Sequence, residues 1–277
     1  LDLAALGYVE EEYFLEGTAN RYRTPPLATG VIMSSGHPYR TRMIVRRPRS
    51  GAEFNGTVLV EWLDTTNGFD LDAVWMASHK HILRSGYAYV GVSAQRVGVH
   101  GANIGLKSWS PVRYSTLDVT AGGAILDDSL SYDIFSQAVQ AIRHPVGVEP
   151  LGELPVGRVF AVGAQQPHDH FVTYHNSIQP LAVGFDAFLF FGIDSQLRTD
   201  LDVKVFSIKT ETDVLRKPTA RQADSNSLRT WEVAGTSPVD FQTFEFRREL
   251  FMRDDLPSPD LAGCSRPAPV GSPLPMC

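Results

Sequence analysis

The chain has 277 residues, 25 Lys and Arg against 31 Asp and Glu, and a formal net charge of -6. That balance argues against a nucleic-acid partner, and no apolar run approaches the ~20 residues of a membrane span. A hydrophobic content of 43% and a charged content of 20% are those of an ordinary globular protein, long enough for one large α/β domain or two small ones.

The first residues, Leu1-Asp2-Leu3-Ala4-Ala5-Leu6-Gly7, lack an initiator Met and a basic-then-apolar leader pattern, so they read as a trimmed start. Arg42-Met43-Ile44-Val45-Arg46 and Gly56-Thr57-Val58-Leu59-Val60-Glu61-Trp62 read as strands. The basic run Arg46-Arg47-Pro48-Arg49 is expected at a solvated strand end. A helix should follow from about Asp72 to Leu83, stopped by Gly86. Tyr87-Ala88-Tyr89-Val90-Gly91-Val92-Ser93 is apolar on both faces, as a central parallel strand should be.

Residues 97–130 are rich in Gly, Ser and Asp and read as a long excursion over the sheet edge. The stretch from Ser131 to Arg143 is an amphipathic helix ending before Pro145. Arg158-Val159-Phe160-Ala161-Val162-Gly163-Ala164-Gln165-Gln166-Pro167 reads as a buried strand, a tight turn and a helix start, the helix running to about Ile178. Further strands are expected at 185–191, 203–208 and 228–233. Alternation of strands and helices makes the fold class α/β, a doubly wound, mostly parallel sheet. One domain over residues 1–253 and a Pro-rich tail over 254–277 is the economical division. Cys264 and Cys277 both fall in that tail, either bridged in an oxidising compartment or free.

Several stretches then carry a resemblance to the bacterial α/β-hydrolase domain family related to carboxylesterases. They include Gly7-Tyr8-Val9-Glu10-Glu11-Glu12-Tyr13-Phe14, Glu61-Trp62-Leu63, Val90-Gly91-Val92-Ser93-Ala94-Gln95-Arg96, Ser131-Tyr132-Asp133-Ile134, Glu211-Thr212-Asp213-Val214 and Trp231-Glu232-Val233-Ala234-Gly235-Thr236. The resemblance covers nearly everything from Gly7 to Asp240. It implies the α/β-hydrolase fold with a nucleophile elbow at Gly163-Ala164-Gln165-Gln166-Pro167. Family members typically read G-E-S-Q-S there; this chain has Gln165 in the middle. They place the triad histidine two residues after A-G-T; this chain has Pro238. Asp213 matches the acid position, at the end of a strand. One triad member of three is carried over, so the triad reads as degenerate.

A glutamine offers an amide but no nucleophile. Proline suits the first helical turn, so the helix should still start there, and the Gln166 N–H could form half of an anion-binding hole. The other half would come from the loop Trp62-Leu63-Asp64-Thr65-Thr66-Asn67-Gly68. His168, Asp169 and His170 crowd the helix start and fan out over about 200°, so they cannot share a metal. They read either as polar residues at a helix start or as a pocket acid or base, His168 or His170. His168 and His175 are about 10 Å apart along the axis, too far for one zinc. No metal site or cofactor is called for. His79, His81 and His100 read as structural or loop residues, and Ser93 is not expected to head an elbow because no helix is expected to start there.

Three functions remain open. The first is a repurposed enzyme performing cyclisation, elimination or isomerisation on a small, apolar organic molecule, with Asp213, His168 or Gln165 assisting. The second is a non-catalytic binding or scaffold protein, and the third a hydrolase with an unorthodox site.

Overall fold

The structure, a computed structural model, describes residues 1–164, 168–193, 195–216, 218–237 and 241–256, with the side chains of His168, Asp169 and Gln242 left aside. Gln165, Gln166 and Pro167, the position Pro238 and residues 257–277, with Cys264 and Cys277, lie outside the described residues.

Eight strands form one sheet in the order β1-β2-β4-β3-β5-β6-β7-β8. They are β1 (Tyr8–Arg23), β2 (Val31–Pro48), β3 (Thr57–Trp62), β4 (Ala88–Val92), β5 (Arg158–Ala164), β6 (Ala187–Phe191), β7 (Lys204–Thr210) and β8 (Leu228–Val233). β1 pairs antiparallel with β2 and β2 with β4; every pair from β4 to β8 is parallel. The expected mostly parallel sheet is therefore present, with an antiparallel ribbon at one edge.

The helices are α1 (Ala73–Arg84), α2 (Arg96–His100), α3 (Leu106–Trp109), α4 (Pro111–Tyr114), α5 (Ser131–Arg143), α6 (His168–Thr173), α7 (Gln179–Ala182), α8 (Glu211–Arg216) and α9 (Phe241–Arg253), with a π-helical turn at Tyr174–Ile178. Period-two alternation assigns the two faces of the sheet. On β3, Val58, Val60 and Trp62 join the main core with Ile134 and Phe135 of α5. Leu59 packs on the other side with Trp75 and Ile82 of α1 and with Tyr89. Gly86 ends the α1 turn at φ +72, and a Cβ there would sit 2.1 Å from the Glu53 carbonyl oxygen, so only glycine fits.

Several expectations change. The β1–β2 ribbon is far longer than the strand expected at 42–46. Its outer half leaves the sheet and lies over α5, where Asn20 N donates to Asp133 (2.9 Å), the Tyr22 hydroxyl to Asp133 (2.5 Å) and the Tyr39 hydroxyl to Gln137 (2.8 Å). Arg46 is not at a solvated end. Its guanidinium lies 4.3 Å from the Trp75 ring centroid and pairs with Asp72 (2.5 Å) and Glu10 (2.6 Å), because flanking aromatics and two carboxylates outcompete water for it. The excursion at 97–130 contains the three short helices α2, α3 and α4. A helix does begin soon after Ser93, at Arg96. α9, which no sequence pattern announces, packs its Phe246 and Leu250 against Leu71, Ala73 and Met76.

Candidate functional site

At the carboxyl end of β3 the alternation that buries Glu61 on one face delivers Trp62 to the other. Trp62 is fully buried, and its indole N–H donates to Gln95 Oε1 at 3.2 Å. The Thr65 hydroxyl donates to the same oxygen at 3.3 Å. Gln95 thus ties the loop after β3 to the end of β4.

The His170 ring lies parallel to the Trp62 ring, with centroids 6.0 Å apart and 2° between the planes. Its Nδ1 is 3.0 Å from the Tyr132 hydroxyl, and its Nε2 is 3.8 Å from Asp128 Oδ2. The neutral tautomer protonated on Nε2 suits both neighbours. In that form Tyr132 donates to Nδ1 and the Nε2 proton faces the carboxylate, whereas the other tautomer would aim a lone pair at Asp128. Asp128 is held in turn by the Arg96 backbone N–H at 2.6 Å. Beneath the cluster, Ser136 and Tyr174 share a buried hydrogen bond of 3.0 Å, and burial raises the Tyr174 phenol well above its ordinary range. The His170 side chain remains 30% exposed, enough to meet a ligand above the end of β5.

Asp213 does not join this cluster. It lies in the first turn of α8 rather than at the end of a strand. Its Oδ2 accepts from the Thr210 N–H (2.8 Å) and hydroxyl (2.7 Å), and its own N–H faces Thr210 Oγ1 at 3.4 Å. That reciprocal arrangement is a capping box with Asp in place of Glu. Gly192 closes against it, with both carboxylate oxygens 3.2 Å from where a Cβ would stand. Trp62 and Thr210 sit on strands separated by β5 and β6, on the order of 14 Å at ordinary strand spacing. His170 and Asp213 thus have different partners, Tyr132 and Asp128 for the one and Thr210 for the other.

The expected anion-hole loop is also partly committed elsewhere. Leu63 N donates to Val92 O (3.4 Å) and Asp64 N to Leu71 O (2.9 Å), while Thr66 N and Gly68 N bond within the loop. Leu63 and Asp64 are buried, and the Asp64 carboxylate lies 4.0 Å from Arg247 of α9. Neither supplies a backbone donor to a ligand. Thr65 is oriented through its hydroxyl on Gln95.

The remaining candidates resolve into structural parts. Ser93 donates to Asp70 Oδ2 at 2.5 Å and accepts from Arg42 at 3.1 Å. His79 contacts the Trp75 and Met76 carbonyls at 3.2 Å, and His81 sits on the same helix against the Tyr87 ring. His100 Nε2 accepts from Val119 N at 3.2 Å and lies 3.3 Å from Asp118; burial lowers its pKa. His175 is fully buried in the π-helical turn, facing Asn176 Oδ1 at 2.9 Å, and burial pushes its pKa down to about 4. Among the described residues no group of three or more His, Cys, Asp or Glu is placed to hold a metal, and no helix is long and apolar enough to cross a membrane.

A model of the alpha/beta hydrolase domain matches residues 1–272. The chain belongs to that family. Solved structures to which the chain is similar include an α/β serine hydrolase without a lid, XC6422 from Xanthomonas campestris, at 11% identity. That match has a TM-score of 0.48 and covers 87% of this chain and 97% of that one. A cold-adapted esterase from an Arctic intertidal metagenomic library gives 11% identity and a TM-score of 0.48, over 90% and 95% of the two chains. An α/β serine hydrolase homologue from Coxiella burnetii gives 9% and 0.43, over 88% and 96%. No curated protein matches.

Within this α/β-hydrolase frame, Gln95, Asp128 and Tyr132 are the site residues that sequence reasoning misses. Gln95 and Tyr132 stand in the very stretches that carry the family resemblance, but nothing in their spacing assigns them a partner. Asp128 stands in the aperiodic excursion, where only the fold can place it.

Proposed function

We propose that this α/β-hydrolase-fold chain is an enzyme that does not use a serine nucleophile and performs acid–base chemistry on a small, apolar organic molecule. Cyclisation, elimination and isomerisation fit, since they need positioning and a proton carrier but no acyl-enzyme. One observation carries the reading: an imidazole at the start of α6, stacked on a buried Trp62 and bracketed by Tyr132 and Asp128. His170 is the proton carrier, Tyr132 and Asp128 fix its tautomer, and Trp62 with Gln95 sets the orientation of its ring. Gln165, in the sequence position of the family's serine, offers an amide in place of a hydroxyl.

Asp213 favours a second reading. Its carboxylate is spent on a helix cap, as it would be in a binding or scaffold protein that keeps the fold without the chemistry. Native mass spectrometry of protein from its source distinguishes the two. The enzyme reading expects a retained small molecule that is in product form in the wild type and unconverted in His170→Gln. An identical molecule in both proteins supports the binding reading.

A further inference from the structure

A trough of about 590 Å³ crosses the sheet face opposite the site, within the size range of small-molecule sites. Its floor is Leu59 of β3, Phe160 of β5, Leu189 of β6 and Phe206 of β7, with Arg229 of β8 on the same face beside Phe206. It thus runs across five adjacent parallel strands, roughly 19 Å at ordinary strand spacing. Val74 and Ile82 of α1 wall one end, and residues 225–229 close the other. Parallel strands are normally covered on both faces, and among the described residues no helix other than α1 lines this apolar floor.

The lining is charged at one end and of one sign. Lys204 and Arg229 stand together there, on strands where Val205 pairs with Leu228 and Phe206 with Arg229. No acidic side chain lines the trough among the described residues, in a chain whose net charge is -6. The Lys204 ammonium rests on the Asn226 carbonyl at 3.2 Å. Arg229 pairs with Asp224 at 2.8 Å, but both side chains are well exposed, and such a pair yields readily to a better partner.

A long apolar floor with a cationic end matches a molecule with one tail and one anionic head. We propose that this trough binds a single-chain anionic amphiphile, such as a fatty carboxylate, with the tail across Leu189 and Phe206 and the head at Lys204 and Arg229. This site is separate from the Trp62–His170 corner and stands whether or not that corner is catalytic.

The test is calorimetric titration of the whole chain with dodecanoate below its micellar concentration, against dodecyltrimethylammonium as the cationic control. The expected result is one dodecanoate per chain, bound at least about tenfold more tightly than the cation, with Lys204→Glu weakening it by roughly tenfold or more. Lys204→Glu alters an exposed side chain at the strand end, so its fold should hold. Leu189→Asp, with its circular dichroism checked, should abolish binding. Equal affinity for both head groups, or binding indifferent to Lys204→Glu, overturns the proposal. So does absence of dodecanoate binding, including the case where sedimentation finds a dimer that Leu189→Asp dissociates, since a second copy then covers the trough.

Discussion

Replacing Glu61 by alanine is expected to lower the unfolding free energy by about 3–5 kcal/mol, because three buried donors lose their acceptor at once. The carboxylate of this fully buried residue accepts the N–H of Val74 (2.8 Å) and of Trp75 (3.2 Å), the first turn of α1, and the Tyr89 hydroxyl at 2.6 Å. It fixes the helix start to the central strand. Burial, and secondarily the nearby Asp72 charge, push its pKa up to about 8 from an ordinary value near 4.5. The folded protein therefore holds a proton that the unfolded chain has already released. The associated stability is complete below pH 4.5 and is lost as pH rises through 8. His175 acts with the opposite sign: with a folded pKa of about 4 against 6.5, its contribution is complete above pH 6.5 and is lost as pH falls through 4. The two oppose each other between pH 4.5 and 6.5, and Glu61 dominates from pH 6.5 to 8. Asp70, raised by burial, acts in the same direction as Glu61. Melting temperatures of wild type and Glu61→Gln, measured from pH 5.5 to 8.5, should diverge in favour of the glutamine as pH rises. Parallel curves would refute this assignment.

The second large effect is expected at Trp62. Trp62→Ala removes a fully buried indole that meets the rings of Tyr132, Phe135, His170 and Tyr174 at 4.8–6.3 Å, at a cost of about 3–5 kcal/mol. Trp62→Phe keeps an aromatic surface but leaves Gln95 Oε1 without its indole donor, at a cost of about 1–2 kcal/mol. Urea midpoints should rank wild type, Phe, Ala in that order. In the phenylalanine variant the Thr65 loop should also gain mobility, read as faster amide exchange at Thr65 and Thr66. Unchanged exchange would mean that Gln95 does not orient the loop.

The central strands are legible because an all-apolar run bounded by turn residues has few alternatives: β3, β4 and β5 are read within a residue or two, and α5 at its exact ends. The β1–β2 ribbon is less so. Its outer residues lie over α5 rather than between two sheet faces, so no alternation marks them. α9 hides for a related reason. Phe246 and Leu250 face the core while Phe241 is 69% exposed, so its apolar residues do not form a single stripe. Asp213 illustrates a different ambiguity. Thr210-Glu211-Thr212-Asp213 is a readable capping pattern, yet the family resemblance draws the eye to a catalytic acid. Arg46 shows the limit most plainly, since only the fold brings Trp75, Tyr89 and Asp72 around it. In the site, His170 is legible as a histidine at a helix start. Its partners Tyr132 and Asp128 are not, being 38 and 42 residues away in the chain.

We propose that this α/β-hydrolase frame works without a serine nucleophile. The decisive experiment is incubation of the folded chain with a fluorophosphonate probe, followed by peptide mapping. No serine adduct should form: Gln165 offers no hydroxyl, and Ser93 is buried with its hydroxyl committed to Asp70. A stoichiometric adduct on Ser93, or on any other serine, would contradict this and restore the chain to the serine hydrolases.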